Sequence, residues 1–202
     1  MRKILICSML LLSLDVSAKS MKEIWISMPD SMIPYLTKNL RTEMVDFVNM
    51  NIHADVKNKL QGTSEIDTLQ ATYMKANLNK VSTIQMKLLP TSDKDTITCV
   101  VKNFFGPAPE SEIAFYSQEW KLLYGQTFNT TSLTEKPDTM SSQRYQQLCA
   151  MIDPSMIHAE LNSDREELLL TISIPLLNKE INQQIQPIIS QRKLKWDGKL
   201  FK

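Results

Sequence analysis

The side chains of this sequence with chemical reach are few: two histidines, two cysteines beyond the amino-terminal stretch, and one close pair of glutamates. His53 and His158 stand far apart and read as lacking nearby Cys or carboxylate partners, with no His-x-x-x-His or Cys-x-x-Cys spacing around them. A metal centre needs several converging ligands, so no metal is expected. No nucleophile-elbow sequence supports acyl chemistry, and His158, within an alternating pattern, reads as an ordinary strand residue. Glu110 and Glu112 flank Ser111; the spacing allows an acid pair, but solvated turn charges account for it better. No catalytic residue is assigned. The four glycines, Gly62, Gly106, Gly125 and Gly198, are isolated, which excludes a phosphate-cradling loop or dinucleotide fingerprint, and no cofactor is expected. Cys99 and Cys149 occupy apolar positions. In an oxidising compartment a disulfide could bridge them, joining the central strand to the second helix, whereas free cysteines at apolar positions behave as small hydrophobes; without their separation both readings stay open.

The elements that must position these residues centre on Asp95 to Leu123. Ile97, Cys99 and Val101 alternate with Thr98 and Val100, and Phe104 and Phe105 close the run. That period of two marks a mostly buried strand. Gly106, Pro107 and Pro109 stop it, because proline removes a backbone donor and fixes φ. Ile113, Phe115 and residues 120–123 resume extended structure, returning antiparallel.

Upstream, Met74, Ala76 and Leu78 alternate, then Ile84, Met86 and Leu88, with Asn79-Lys80 as a hairpin connection. Strands from about Asp67 to Leu123 thus follow one another through short turns, an antiparallel meander. Glu23 to Met28 reads as a short strand. From Asn39 the spacing is helical: Leu40, Met44, Phe47 and Val48 share one face, with Arg41, Glu43 and Asp46 opposite, and Thr37 or Asn39 as N-cap. Residues 54–60 form a weak strand before a turn at Gln61–Ser64. Residues 125–140, rich in Ser and Thr, form the longest irregular stretch and the candidate sub-boundary. Beyond it come a helix (141–152), a hairpin (156–161 with 167–174), an amphipathic helix bent at Pro187 (178–189) and an edge strand (193–196).

The chain has 202 residues, 43% hydrophobic and 22% charged, an ordinary globular composition that suits one domain over 19–202. Residues 1–18 read as a secretory signal peptide: Arg2 and Lys3, an apolar run from Ile4 to Leu14, and Val16-Ser17-Ala18 for cleavage. That run is shorter than the ~20 residues that span a bilayer, so no transmembrane segment is expected after cleavage. A lipid anchor on Cys7 is the lesser alternative. The remainder carries 21 basic and 21 acidic residues and no basic stripe, so nucleic acid is not an expected partner. Asn129-Thr130-Thr131 matches the N-glycosylation pattern, which matters only in a eukaryotic secretory route. Asp-Ser/Thr followed by an apolar residue recurs at Asp30, Asp67, Asp95 and Asp138.

Taken together, MPDSMIPYLTKN, STIQMKLLP, DTITCVV, FFGPAPESEIAFYSQEW, MIDP and the closing KWDG resemble an exported family of Bacteroidales, domain of unknown function 3256. The resemblance covers nearly the whole chain after the leader, and Gly106 to Ser111 is its most specific part. It implies a protein of the periplasm or envelope of a Gram-negative gut or oral bacterium. It implies no activity, substrate or catalytic residue. Given that source, the Asp-Ser/Thr-apolar triplets resemble an O-glycosylation signal, with Thr139 the favoured site and Thr68 and Thr96 too close to strands.

The expected fold is α+β, an antiparallel meandering sheet with helices packed on one face; the alternative is two similar halves divided within 125–140. The expected function is non-enzymatic: an exported envelope protein that binds another protein or a surface polymer. The alternatives are a hydrolase acting on an envelope polymer and a small-ligand carrier. A buried carboxylate pair in a cleft marks the hydrolase. An exposed apolar or aromatic patch, with Trp25, Trp120 and Trp196 as candidate members, marks a binding protein, and an enclosed apolar cavity marks the carrier.

Overall fold

Ser20 and Glu23 open the fold with a capping box. The Ser20 hydroxyl accepts from the Glu23 backbone N–H (3.4 Å), and the Glu23 carboxylate accepts from the Ser20 N–H (2.8 Å), satisfying two donors that a helix start leaves free. Helix α1 (Met21–Ser27) follows, burying Met21, Ile24 and Trp25 at helical spacing. The short strand expected at Glu23–Met28 is therefore a helix, selected by its cap and by a buried face that repeats every three to four residues. The computed structural model describes residues 19–175 and 178–202; the signal-peptide reading and Cys7 fall on residues 1–18, outside the described residues.

Helix α2 (Lys38–Asn49) has Thr37 at its N-cap and buries Met44 and Val45. It also buries Arg41, which charge patterning assigns to the opposite, solvent-facing side. The Arg41 Nε donates to the Trp25 carbonyl (3.1 Å), its terminal nitrogens donate to the carbonyls of Met28 and Leu36, and Nη1 lies 3.0 Å from an Asp30 carboxylate oxygen. The segment after α1 turns its carbonyls inward, and a five-donor guanidinium satisfies several at once. Burial pulls the Arg41 pKa down and Asp30 opposes the shift.

Among the described residues, seven strands form one antiparallel sheet in strict sequence order: β1 (Asp55–Lys57), β2 (Thr63–Leu69), β3 (Tyr73–Asn79), β4 (Ser82–Pro90), β5 (Thr96–Phe105), β6 (Pro109–Tyr116) and β7 (Leu122–Gly125). This is the meander that the alternation predicts, and the fold is α+β. On one face, Met74, Ala76, Leu78, Ile84, Met86 and Val100 pack against α1 and α2.

The opposite face carries a second layer. Strands β8 (Met156–Leu161), β9 (Glu167–Ser173) and β10 (Arg192–Lys195) form a smaller antiparallel sheet in the order β10-β9-β8. With α3 (Ser142–Met151) and α4 (Lys179–Ile185), they bury Leu148, Leu161, Leu168, Leu170 and Ile185 against Leu89, Cys99, Val101 and Phe115 of the large sheet. Each such aliphatic side chain contributes roughly 1.5–3 kcal/mol when fully buried. The irregular stretch 125–140 is tied into this layer: Leu133 is buried there, and its carbonyl accepts from the Ser190 N–H (2.9 Å).

The tryptophans are structural. Trp25 and Trp120 are buried in the first cluster, and the Trp120 Nε1 donates to the Ile24 carbonyl (3.1 Å). Trp196 is half-buried and stacks on Phe115 with centroids 5.3 Å apart. No exposed patch among the described residues includes Trp25 or Trp120, and the half-buried Trp196 packs on Phe115 and Phe201.

Candidate functional site

Along the strands of the large sheet, the face that meets the second layer changes from polar to apolar. Asp55, Glu65, Asn77, Thr83, Asn103 and Ser111 stand opposite one another in consecutive strands, making one polar row across β1 to β6. One step along, Gln85 lies between Lys75 and Val101. A step further, the row is Tyr73, Lys87, Cys99 and Phe115. Alternate residues share a face, so the strand period that builds the core at one end builds a polar floor at the other. That floor lies under a groove of about 480 Å³, whose lining also includes Thr63, Lys80, Phe105 and Glu160.

The seam with the small sheet holds part of this floor in place. Strand β8 is an edge, and its outward N–H groups need partners. The Ala159 N–H donates to the Ser111 hydroxyl (2.7 Å), and the Leu161 N–H donates to the Gln85 side-chain oxygen (2.8 Å). Ser111, already accepting, donates its own proton to the Asn103 side-chain oxygen. A backbone N–H requires an acceptor, so this chain of bonds fixes which end of each amide faces the seam. It leaves the NH2 groups of Gln85 and Asn103 as the ends the seam does not use. Lys87 closes the boundary: its ammonium donates to the carbonyls of Asn162 (2.7 Å) and Ser163 (2.8 Å), and burial lowers its pKa.

Thr83 stands out within the floor. It is 8% exposed, and its hydroxyl makes no hydrogen bond with the described residues. Leaving a buried polar group unpaired costs about 1–3 kcal/mol, and such a group in a folded protein calls for a partner.

Each histidine lies beside a glutamate of the groove. His53 sits at the outer end of the polar row, with its ring nitrogens 3.0 Å from Asp55 and 3.1 Å from Glu65. The hydrogen bond to Asp55, and then the charges of Glu65 and Asp55, raise its pKa. The His158 Nε2 is 3.5 Å from Glu160, and its ring packs against Phe105 with centroids 5.9 Å apart. Both histidines thus have a carboxylate two residues on, Asp55 and Glu160, which corrects the expectation that they lack nearby carboxylate partners; the pairing of His53 with Glu65 arises only in the folded chain.

Glu110 and Glu112 are exposed on the wall of a second groove of about 570 Å³ along β6, shared with Tyr116, Phe128 and Ile157. Ser111 between them, not the glutamates, reaches the seam. Cys99 and Cys149 carry free thiols and pack in the same apolar cluster, where burial raises the Cys99 pKa. Thr139 lies in an exposed turn after Pro137. Among the described residues no group of three or more His, Cys, Asp or Glu side chains is arranged to hold a metal ion, and no helix is long and apolar enough to cross a membrane.

Comparison with known proteins places the chain in a family. The family model described as Protein of unknown function (DUF3256) matches residues 13–201, and the chain belongs to that family. A solved structure described as a domain of an uncharacterized protein from Porphyromonas gingivalis W83 superposes with a TM-score of 0.74, covering 90% of this chain and 97% of that one. The two are 23% identical, so the likeness shows the fold alone. No curated protein matches the chain.

Proposed function

We propose that this family member is an exported, non-catalytic envelope protein whose polar groove binds a hydroxyl-rich surface polymer. The observation that carries the reading is the unpartnered Thr83 hydroxyl, buried in a floor that combines the amides of Asn77, Gln85 and Asn103 with Lys75, Glu65 and Glu160. Such a floor offers donors and acceptors in balance, which suits sugar hydroxyls better than a strongly charged ligand. Phe105, exposed at the rim, supplies an apolar face of the kind a sugar ring packs against. Export rests on the leader composition of residues 1–18. Thr139, exposed beside Asp138, is the proposed O-glycosylation site; intact mass of the protein from its native host, above that of the bare polypeptide and lost in Thr139→Ala, supports it.

The test is binding of the purified protein to an array of bacterial envelope oligosaccharides. Selective binding, lost in Asn77→Ala with Asn103→Ala while the fold persists by circular dichroism, supports the reading. Binding to none, or binding indifferent to these substitutions, counts against it.

One observation favours a second reading. Glu65 and Glu160 line the same groove, and two carboxylates flanking a glycosidic bond are the machinery of its hydrolysis. Release of reducing ends from a bound oligosaccharide, abolished in Glu160→Gln, would replace the binding reading with this one.

A further inference from the structure

An antiparallel meander brings alternate turns to one end of the sheet, and here three of them share an unusual surface. The β1–β2 turn exposes Leu60 (65%), the β3–β4 turn exposes Val81 (58%), and the end of β5 exposes Phe104 (46%) with Phe105 beside it. The turns are fixed to one another. The Phe105 N–H donates to the Val81 carbonyl (2.7 Å), and the Asn58 side chain donates to the Leu78 carbonyl (3.3 Å). Tyr35 braces both of the first two, its carbonyl accepting from the Lys59 N–H (3.0 Å) and its hydroxyl from the Asn79 amide (3.2 Å). Buried aliphatic residues are no surprise; four large apolar residues held outward on rigid turns at one end need a partner surface.

The charges around them indicate which. Lys57, Lys59 and Lys80 are exposed on the same turns, against one exposed carboxylate, Glu110, across the strand pair from Phe104. The turns at the other end of the sheet lack this lysine excess: residues 91–95 set Asp93 and Asp95 against Lys94, and residues 117–121 set Glu119 against Lys121, with the exposed Leu122 and Leu123 following in β7 and not in a turn. A rim that alternates lysine with outward apolar side chains matches an anionic bilayer, whose headgroups attract the ammonium groups while the interface accepts shallow apolar insertion.

We propose that the β1–β2, β3–β4 and β5–β6 turns seat this protein on an anionic lipid surface through Leu60, Val81 and Phe104, with Lys57, Lys59 and Lys80 facing the headgroups. The proposal is independent of what the groove binds. Its geometry adds one consequence: Lys80 and Phe105 belong to both the turns and the groove lining, so the groove opens beside the membrane.

The experiment is vesicle co-sedimentation of the protein isolated from its native cells, using phosphatidylcholine vesicles with and without one-fifth phosphatidylglycerol. Binding is expected to require phosphatidylglycerol and to fall steeply with added salt, because exposed charges are screened. Lys59→Glu with Lys80→Glu is expected to weaken it at least about tenfold. Val81→Asp with Phe104→Asp is expected to weaken it by a similar factor. All four positions are exposed, and unchanged thermal unfolding confirms that each variant folds. Three results overturn the proposal: equal binding to neutral and anionic vesicles, no vesicle binding at all, or folded turn variants that bind like the parent. Sedimentation showing a dimer that Val81→Asp dissolves, without vesicle binding, would assign the face to a second copy of the chain instead.

Discussion

One face of one sheet holds two surfaces with opposite logic. At one end, Tyr73, Leu89, Cys99, Val101 and Phe115 meet the small sheet, α3 and α4. At the other end the same strands present Thr63, Glu65, Asn77, Thr83 and Asn103 to an open groove. Strand parity is unchanged between the ends, so the difference is written entirely in side-chain type. The apolar end is organised for stability. Buried hydroxyls without a partner among the described residues also occur at Ser82 and Thr98, but of the three only Thr83, at the polar end, lines the groove. Gln85, Ser111 and Lys87 stand at the boundary, bonding the edge strand and turn of the second layer.

The comparison breaks most visibly through core truncation. Phe115 packs against Tyr124, Trp196 and Phe201, and Phe115→Ala is expected to cost about 3–5 kcal/mol. Asn77→Ala at the polar end is expected to stay within about 0.5 kcal/mol. Urea unfolding of the two variants measures the contrast, and similar losses would dissolve it.

Boundary substitutions come next. Ser111→Ala removes the acceptor for the Ala159 N–H and the donor to Asn103, with an expected loss of about 1–3 kcal/mol. Hydrogen exchange at Ala159 should quicken while exchange in β3 stays unchanged; uniform quickening would mean that the seam is not a local lock. Thr83→Val sharpens the comparison in the other direction. It keeps the volume and removes the unpaired hydroxyl, so stability should hold or rise by about 1 kcal/mol while ligand binding falls. A variant that is less stable and binds normally would assign Thr83 to the scaffold.

The smallest expected effect is electrostatic. The folded-state pKa of His53 is raised above its ordinary 6.5 by Asp55 and Glu65. Its contribution is therefore fully present below the unfolded value and is lost as pH rises through the folded one. Because the ring is exposed, the stability change is small and the titration is the better readout. Imidazole resonances should titrate above the ordinary value, and Asp55→Asn should bring the midpoint down.

Much of the scaffold was legible in the sequence. Period-two apolar runs such as Met74, Ala76 and Leu78, with Asn79-Lys80 and Gly106-Pro107 at the turns, define an antiparallel meander without further information. Helix α1 was misread because EIWISM alternates as well as it repeats; the Ser20 and Glu23 capping box was the signal that decides it. The burial of Arg41 was not legible, because it depends on the carbonyls of Trp25, Met28 and Leu36, which flank the Pro29–Pro34 segment, and no spacing in α2 reports that. The groove was hidden for a different reason. Asn77, Thr83 and Asn103 each look like the wet side of a half-buried strand. Only cross-strand register makes them one row, and periodicity within a strand says nothing about register.

The central claim is that the polar end of the sheet is the binding surface, and backbone amide NMR tests it most directly. The labelled protein would be titrated with soluble oligosaccharides released from its host's own envelope. The account predicts shifts concentrated at Asn77, Thr83, Gln85 and Asn103, and their loss in folded Thr83→Val. Shifts confined to the second groove around Glu112 and Ile157, or none anywhere, would contradict it.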